Sequence, residues 1–287
     1  MERIFITGGR GLLGREIAAA FRSAGEVRIT DREECDIVDL DACRREISAF
    51  GPDVVIHCAA YTAVDLAEKE AAAAREANAT GTRNVARVCK ELGALLTTFG
   101  TDYVFDGRIG RPYVEGDAPN PLSEYGRSKL EAEEALREEG VSHLLVRTQW
   151  LYGAGGKNFI RTILAKAGGG ETLRVASDQT GCPTYAKDLA EAVLRLLSAD
   201  ARGTVHFSNE GETTWYGLAR YVLDLSPFCA AVLVPARSRD LPYPAQRPAY
   251  APLCKEKYRR ITGVSPRHWR DAVREYLEAE RNGGVPR

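Results

Sequence analysis

Short β-branched runs alternate with longer amphipathic ones along roughly the first half of the chain. RIFIT (3–7), EVRIT (26–30), DVVIHCAA (53–60), ALLTTFG (94–100) and HLLVRT (143–148) read as strands, nearly apolar as expected when both faces of a parallel sheet are covered. Between them, LLGREIAAAFRSAG (12–25), DLDACRREISAFG (39–51), the alanine-rich stretch 67–93 and SEYGRSKLEAEEALREEG (123–140) carry the spacing of helices. Each ends on a glycine suited to a C-terminal cap: Gly25, Gly51, Gly93 and Gly140. Strict alternation of this kind predicts an α/β fold with a doubly wound, Rossmann-like parallel sheet.

Past Thr148 the rhythm changes. The glycine-rich loop YGAGGK (152–157) leads to a helix over 159–167, a strand over 173–176 and the loop DQTGCPT (178–184). A helix over 187–197 and the strand TVHFS (204–208) read as a return to the main sheet. Beyond Asn209 prolines and aromatics dominate, closing on RHWRDAVREYLEAER (267–281), read as a surface helix. The expected organisation is a dinucleotide-binding domain over 1–150, rejoined by 186–208, and a smaller substrate-binding lobe over 151–185 and 209–287.

Composition narrows the classes. At 287 residues, 44% of them hydrophobic, the chain exceeds the usual single-domain size and can bury a sizeable core. With 39 basic against 40 acidic residues and no basic block, the electrostatic footprint of a nucleic-acid binder is missing. The seven cysteines are odd in number and form no CxxC pair, so they read as reduced thiols rather than a disulfide frame or zinc site. RIFITGG follows directly on the start, and no apolar run approaches the roughly 18 residues of a membrane span, so the expectation is a cytoplasmic protein without membrane partners.

TGGRGLLG, from Thr7 to Gly14, falls between the first strand and first helix, with glycines at Gly8, Gly11 and Gly14. Low side-chain bulk there lets a pyrophosphate approach backbone N–H groups at a helix N-terminus, where the dipole favours negative charge. This points to dinucleotide binding, with NADPH and NADH the candidate cofactors. Asp31 ends the second strand about where an acid bonds the adenosine ribose, while its neighbour Arg32 suits a 2′-phosphate, leaving the preference between the two cofactors open.

Tyr125 and Lys129 are four residues apart on a predicted helix and so share one face. A free phenol titrates near 10, and a nearby ammonium favours phenolate, moving it toward the value a proton donor needs at neutral pH. The same lysine suits the nicotinamide ribose. Thr101 follows the fourth strand at its C-terminal edge, where open α/β sheets bind ligands, and its hydroxyl is placed to hold a carbonyl oxygen while Tyr125 protonates it.

TGGRGLLG, CDIVD, AAYTAVDLAE, NATGTRNVA, TDYVFDG, EYGRSKLEAE, RTQWLYG, DQTGCPTYAKDLA and RPAYAPL, in that order, resemble the dTDP-4-dehydrorhamnose reductase family of extended short-chain dehydrogenase/reductases over almost the whole chain. The resemblance implies Tyr125 as proton donor, Lys129 as its partner and Thr101 as tuner of proton transfer, with Asp102 and Trp150 contacting a nucleotide-sugar. It implies cofactor contacts at Gly11, Leu12 and Leu13, at Asp31, at Asp36 and Ile37 beside adenine, and at Ala59, Ala60, Tyr61 and Thr62 after the third strand. Asp36 as a cap of the next helix and Trp150 as core are the plainer readings. Some members bind Mg2+ at a subunit contact, and Glu16 matches one such glutamate, which admits a homodimer; alone on a helix, Glu16 reads as a solvated charge. No metal is needed for the chemistry.

Two departures stand out. Gly100 occupies a position commonly serine, read as one hydroxyl fewer near the substrate, and RPAYAPLC has Ala251 and Cys254 where a serine and an acid are usual. The resemblance implies NAD(P)H-dependent reduction of the 4-keto group of dTDP-4-dehydro-6-deoxy-L-mannose to dTDP-L-rhamnose. Rival readings are a non-catalytic regulatory subunit, resembling the beta subunit of methionine adenosyltransferase, and a nucleotide-sugar epimerase.

Overall fold

A computed structural model describes residues 2–282. Five parallel strands, β1 (Arg3–Thr7), β2 (Glu26–Thr30), β3 (Val54–His57), β4 (Leu95–Thr101) and β5 (His143–Thr148), are joined beside β5 by the strand Gly203–His206. The spatial order is Gly203–His206, β5, β4, β3, β1, β2. The chain therefore reverses direction across the sheet between β1 and β3, and a crevice opens at the C-terminal ends of those strands.

Side-chain alternation along each strand feeds two cores. Ile4, Ile6, Val54, Ile56, Leu144 and Val146 pack on one face against α1 (Leu12–Phe21) and the helix Ala186–Ser198, through Ile17, Phe21, Leu189 and Val193. Phe5, Val55, Leu96 and Leu145 face the other way onto α2 (Leu40–Phe50) and the helix Gly81–Leu92. Covering on both faces is why the strands read as continuous apolar runs.

Several boundaries differ from the sequence reading, each for a local reason. Gly51, Gly93 and Gly140 are left-handed C-caps, but α1 ends at Phe21 with Arg22 in the helical region, so Gly25 lies in the turn beyond it. The stretch 67–93 is broken into Val64–Ala67, Ala71–Arg75, a π-turn at Glu76–Thr80 and Gly81–Leu92. In the π-turn Asn78 is buried, accepting the Tyr61 N–H at 2.9 Å and donating to Tyr61 O at 3.1 Å and Ser128 Oγ at 2.9 Å. These bonds tie the loop after β3 to the helix Glu124–Glu139.

The helices Phe159–Gly168 and Trp215–Asp224 and the pair of strands Leu173–Ala176 and Leu233–Ala236 lie beyond β5. The helix Trp269–Asn282 is no mere surface element, since Trp269, Val273, Tyr276 and Leu277 bury one side of it against Tyr152, Ile160, Leu218 and Val222. Among the described residues no helix is long and apolar enough to cross a membrane.

Candidate active site

The loop leaving β1 is shaped by backbone contact. Gly8 has φ +63°, and a Cβ on it would stand 2.5 Å from Ala59 N. A Cβ on Gly14 would stand 2.2 Å from Gly8 O, so α1 crosses this loop at backbone distance. Gly11 caps α1 with extended backbone and without a side-chain hydrogen bond, which leaves the first amide N–H groups of α1 without a side-chain acceptor. Gly11, Leu12, Leu13 and Gly14 line a cavity of about 520 Å³, so an anion there meets both the free donors and the positive end of the helix.

Thr62, Thr101, Asp102, Tyr125, Lys129 and Trp150 line that same cavity. A second cavity of about 580 Å³ shares Gly8, Gly11 and Ala60 with it and continues past Asp31, Asp36, Ile37, Ala59 and Tyr61. Every residue singled out from the sequence as cofactor- or substrate-binding thus borders one of two adjoining hollows. Asp31 accepts the N–H groups of Arg10 at 3.1 Å and Arg32 at 2.9 Å. The Arg32 guanidinium pairs with Asp36 at 3.3 Å. Asp36 does not cap α2: it accepts the Val38 N–H, and the cap is Asp39, which accepts from Asp41 and Ala42.

At the exit of β4 the Thr101 hydroxyl donates to Asp102 Oδ1 at 3.2 Å and accepts the Tyr103 N–H at 3.2 Å. Ser123 caps the helix Glu124–Glu139 by accepting the Gly126 N–H, which starts the turn carrying Tyr125. Burial drives the electrostatics. It pushes the Asp102 carboxyl up to about 7 and the Lys129 ammonium down to about 8, the latter opposed by the charge of Glu133. The Tyr125 phenol moves opposite to the expectation from Lys129: burial first, and then Asp102, push it up to about 12, with Thr101 opposing. At neutral pH it is therefore a protonated phenol.

The departures from the family pattern acquire a location. A Cβ at Gly100 would point at Arg147 Cγ (2.8 Å) and Glu133 Oε1 (2.9 Å), so a side chain there is aimed at an ion pair behind the cavity, not at a substrate. Ala251 is buried and donates its N–H to Thr180 O, Cys254 donates its own to Tyr113 O, and Ala251 and Leu253 cluster with Val104 and Phe105, so RPAYAPLC packs against TDYVFDG. Glu16 is half-buried, its carboxyl pushed up by that burial against the pull of Lys187, and so is not a freely solvated charge. Among the described residues no three His, Cys, Asp or Glu side chains are grouped to hold a metal ion.

Tyr103, Gln149, Lys157, Phe159, Trp215 and Leu218 also line the first cavity and were not singled out from the sequence. Trp150 stacks on Trp215 with ring centroids 3.7 Å apart and planes at 12°, and Phe159 tilts against Trp215 at 4.6 Å. Trp150 holds φ +48°, a conformation that costs a non-glycine residue on the order of 1–3 kcal/mol. Nothing in the periodicity around TTWYG (213–217) marks Trp215; the clue was only its rarity, as one of three tryptophans.

The profile described as RmlD substrate binding domain matches residues 1–282. A dTDP-4-dehydrorhamnose reductase of Mycobacterium tuberculosis is 41% identical, with 98% of this chain and 94% of that one covered. The crystal structure of a dTDP-4-dehydrorhamnose reductase from Clostridium acetobutylicum matches with a TM-score of 0.93 at 36% identity, covering 98% of this chain and 100% of that one. The enzyme of the same name from Bacillus anthracis, solved in complex with NADP, matches with a TM-score of 0.91 at 31% identity over 97% of this chain and 99% of that one. Matched from end to end at these identities, the chain belongs to the RmlD substrate binding domain family, alongside the dTDP-4-dehydrorhamnose reductases.

Proposed function

We propose that this chain reduces the 4-keto group of dTDP-4-dehydro-6-deoxy-L-mannose to give dTDP-L-rhamnose, with NADPH or NADH as reductant. One observation carries the reading: the glycine loop, Thr101, Asp102, Tyr125 and Lys129 border a single cavity. The named relatives are reductases, which favours catalysis over a regulatory module.

The uncapped N–H groups at the start of α1 fit a pyrophosphate, and the second cavity with Asp31 and Ile37 fits an adenosine. When bound, the reduced nicotinamide supplies the hydride. Tyr125, protonated at neutral pH, is the acid for the ketone oxygen. Thr101 and Asp102 orient that oxygen and its neighbouring hydroxyl. The Lys129 ammonium hydrogen-bonds the ribose and favours the phenolate left after proton transfer. Trp150, with its stacked partner Trp215, supplies an apolar wall for the sugar or base.

In this reading residues 151–185 and 209–282 form the substrate lobe on a domain of 2–150 and 186–208, the remaining positions of the expected bounds, 1 and 283–287, lying outside the described residues. A homodimer with Mg2+ near Glu16 would be an assembly feature, without a part in the chemistry. Purified protein mixed with NADPH, or with NADH, and the keto-sugar tests the function: loss of nicotinamide absorbance with formation of dTDP-L-rhamnose is expected, and no net oxidation with either cofactor overturns it.

A further inference from the structure

The helix that carries Tyr125 and Lys129 puts a third ionisable residue on the same face. Residues 125, 129 and 133 are spaced four apart, so their side chains follow one another along the side turned to the sheet. Glu133 is 3% exposed and borders neither cavity. Its carboxylate accepts two hydrogen bonds from Arg147 on β5, Nε to Oε1 at 2.9 Å and Nη2 to Oε2 at 2.6 Å. Arg147 in turn lies over the Phe105 ring at 5.1 Å and has Nη1 3.3 Å from His206 Nε2. Two charges taken this far out of water give little net stability, so stability alone is a poor reason for the pair.

Gly100 makes the room. The volume a side chain at position 100 would take is filled by Arg147 Cγ and Glu133 Oε1. The result is a carboxylate one turn from Lys129 but locked, by a two-pronged bond, to a different cation. Left without Arg147, a buried glutamate four residues from a lysine would pair with it directly and draw the ammonium back from the cavity.

Around Lys129, its own helix contributes Tyr125 and Glu133, β3 contributes His57, and the exit of β4 contributes Asp102. Arg147 on β5 reaches this set through Glu133. His57 is neutral, since burial, with the Lys129 charge second, pushes it down to about 3. Glu133 is therefore the carboxylate whose charge opposes the burial of the ammonium.

We propose that Glu133 and Arg147 act together as positioning residues for Lys129: Glu133 keeps the ammonium charged, and Arg147 keeps Glu133 from seizing it. This rests on the assignment of Lys129 to cofactor binding and proton transfer. Glu133→Gln keeps the shape and an acceptor for Arg147 but removes the charge. The double variant Glu133→Gln/Arg147→Met replaces the whole pair by neutral side chains of similar size and guards against a single variant that fails to fold.

Binding of NADPH, or of NADH, to the full-length protein is followed by nicotinamide fluorescence from pH 6 to 9.5. Wild-type affinity is expected to fall through a transition near pH 8, and both variants to show it about one unit lower. Glu133→Gln would then bind within about twofold of wild type at pH 6 and about fivefold more weakly than wild type at pH 8. A wild-type affinity that is flat over this range, or folded variants that share the wild-type transition and lose affinity equally at every pH, overturns the proposal. Binding is read without the sugar, so the two readings separate. A wild type that binds neither cofactor overturns both, whereas one that binds but leaves the keto-sugar unreduced overturns only the function.

Discussion

Tyr103 and Tyr125 meet edge to face, with ring centroids 5.6 Å apart and planes at 80°. The first of the two aromatics of TDYVFDG is thus the wall against which the proposed proton donor rests. Tyr103 is half-buried and lies within the field of Arg247, which is itself held by Asp65 through bonds of 2.7 and 3.1 Å. Such an aromatic pair is worth about 0.5–1.5 kcal/mol beyond area burial, and its larger effect here is to fix the direction of the phenol. Tyr103→Ala is expected to lower kcat about tenfold, while Tyr103→Phe stays near wild type. Steady-state kinetics of the two variants checks this; equal loss in both would mean that the hydroxyl, not the ring, matters.

Removing the phenol oxygen tests the acid directly. Tyr125→Phe should reduce kcat about 10²–10⁴-fold, the usual range for a general acid, and leave cofactor affinity within about twofold. Turnover and nicotinamide fluorescence on the same preparation separate these effects. Near-normal turnover would remove Tyr125 from the reaction.

Asp102 makes stability depend on pH in a direction set by its burial. Its carboxyl is raised from 3.8 to about 7, so the folded protein holds a proton that the unfolded chain has already released between those values. Its contribution is fully present below about pH 4 and is lost as pH rises to about 7. Asp102→Asn carries no charge at any pH. Its stability advantage over wild type should therefore grow by about 3 kcal/mol at most between pH 5 and pH 8, less where cavity water reaches the carboxylate. Denaturation at the two pH values measures it, and an advantage that does not change with pH would mean that Asp102 titrates as an ordinary surface acid.

Which parts of this site were legible in the sequence follows from what each depends on. The glycine loop was legible because its constraint is backbone conformation and close approach, as the Gly8 and Gly14 contacts show, and only glycine satisfies both. Tyr125 and Lys129 were legible because helical spacing alone places them on one face. The direction of the Tyr125 shift was not, because it depends on burial and on Asp102, which comes from another element. The break in 67–93 was hidden by its alanines, which favour helix, while the bonds of Asn78 to Tyr61 and Ser128 that accompany the π-turn are tertiary. Trp215 and Lys157 reach the cavity from outside the alternating β-α region, and no periodicity announces them.

The stack of Trp150 on Trp215 predicts a separation of substrate from cofactor effects. Trp215→Ala removes the ring behind Trp150 and opens the wall shared with Phe159. KM for the nucleotide-sugar should rise about tenfold, equivalent to about 1.4 kcal/mol, with cofactor affinity unchanged. An unaltered KM would place this stack outside the binding path of the sugar.

Gly11 and Gly14 differ in a way that distinguishes packing from ligand approach. A Cβ on Gly14 would lie 2.2 Å from Gly8 O and 2.6 Å from Gly9 Cα, and main chain cannot yield as a flexible side chain does. Gly14→Ala is expected to displace α1, lower the melting temperature and abolish cofactor binding. A Cβ on Gly11 meets only Gly8 O, at 3.2 Å, and otherwise stands in the open cavity. Gly11→Ala should therefore melt near wild type yet bind cofactor about tenfold more weakly, because the methyl stands where a pyrophosphate must approach the backbone. Thermal melts paired with nicotinamide fluorescence report both quantities, and wild-type affinity in Gly11→Ala would mean that no anion approaches α1 at this turn.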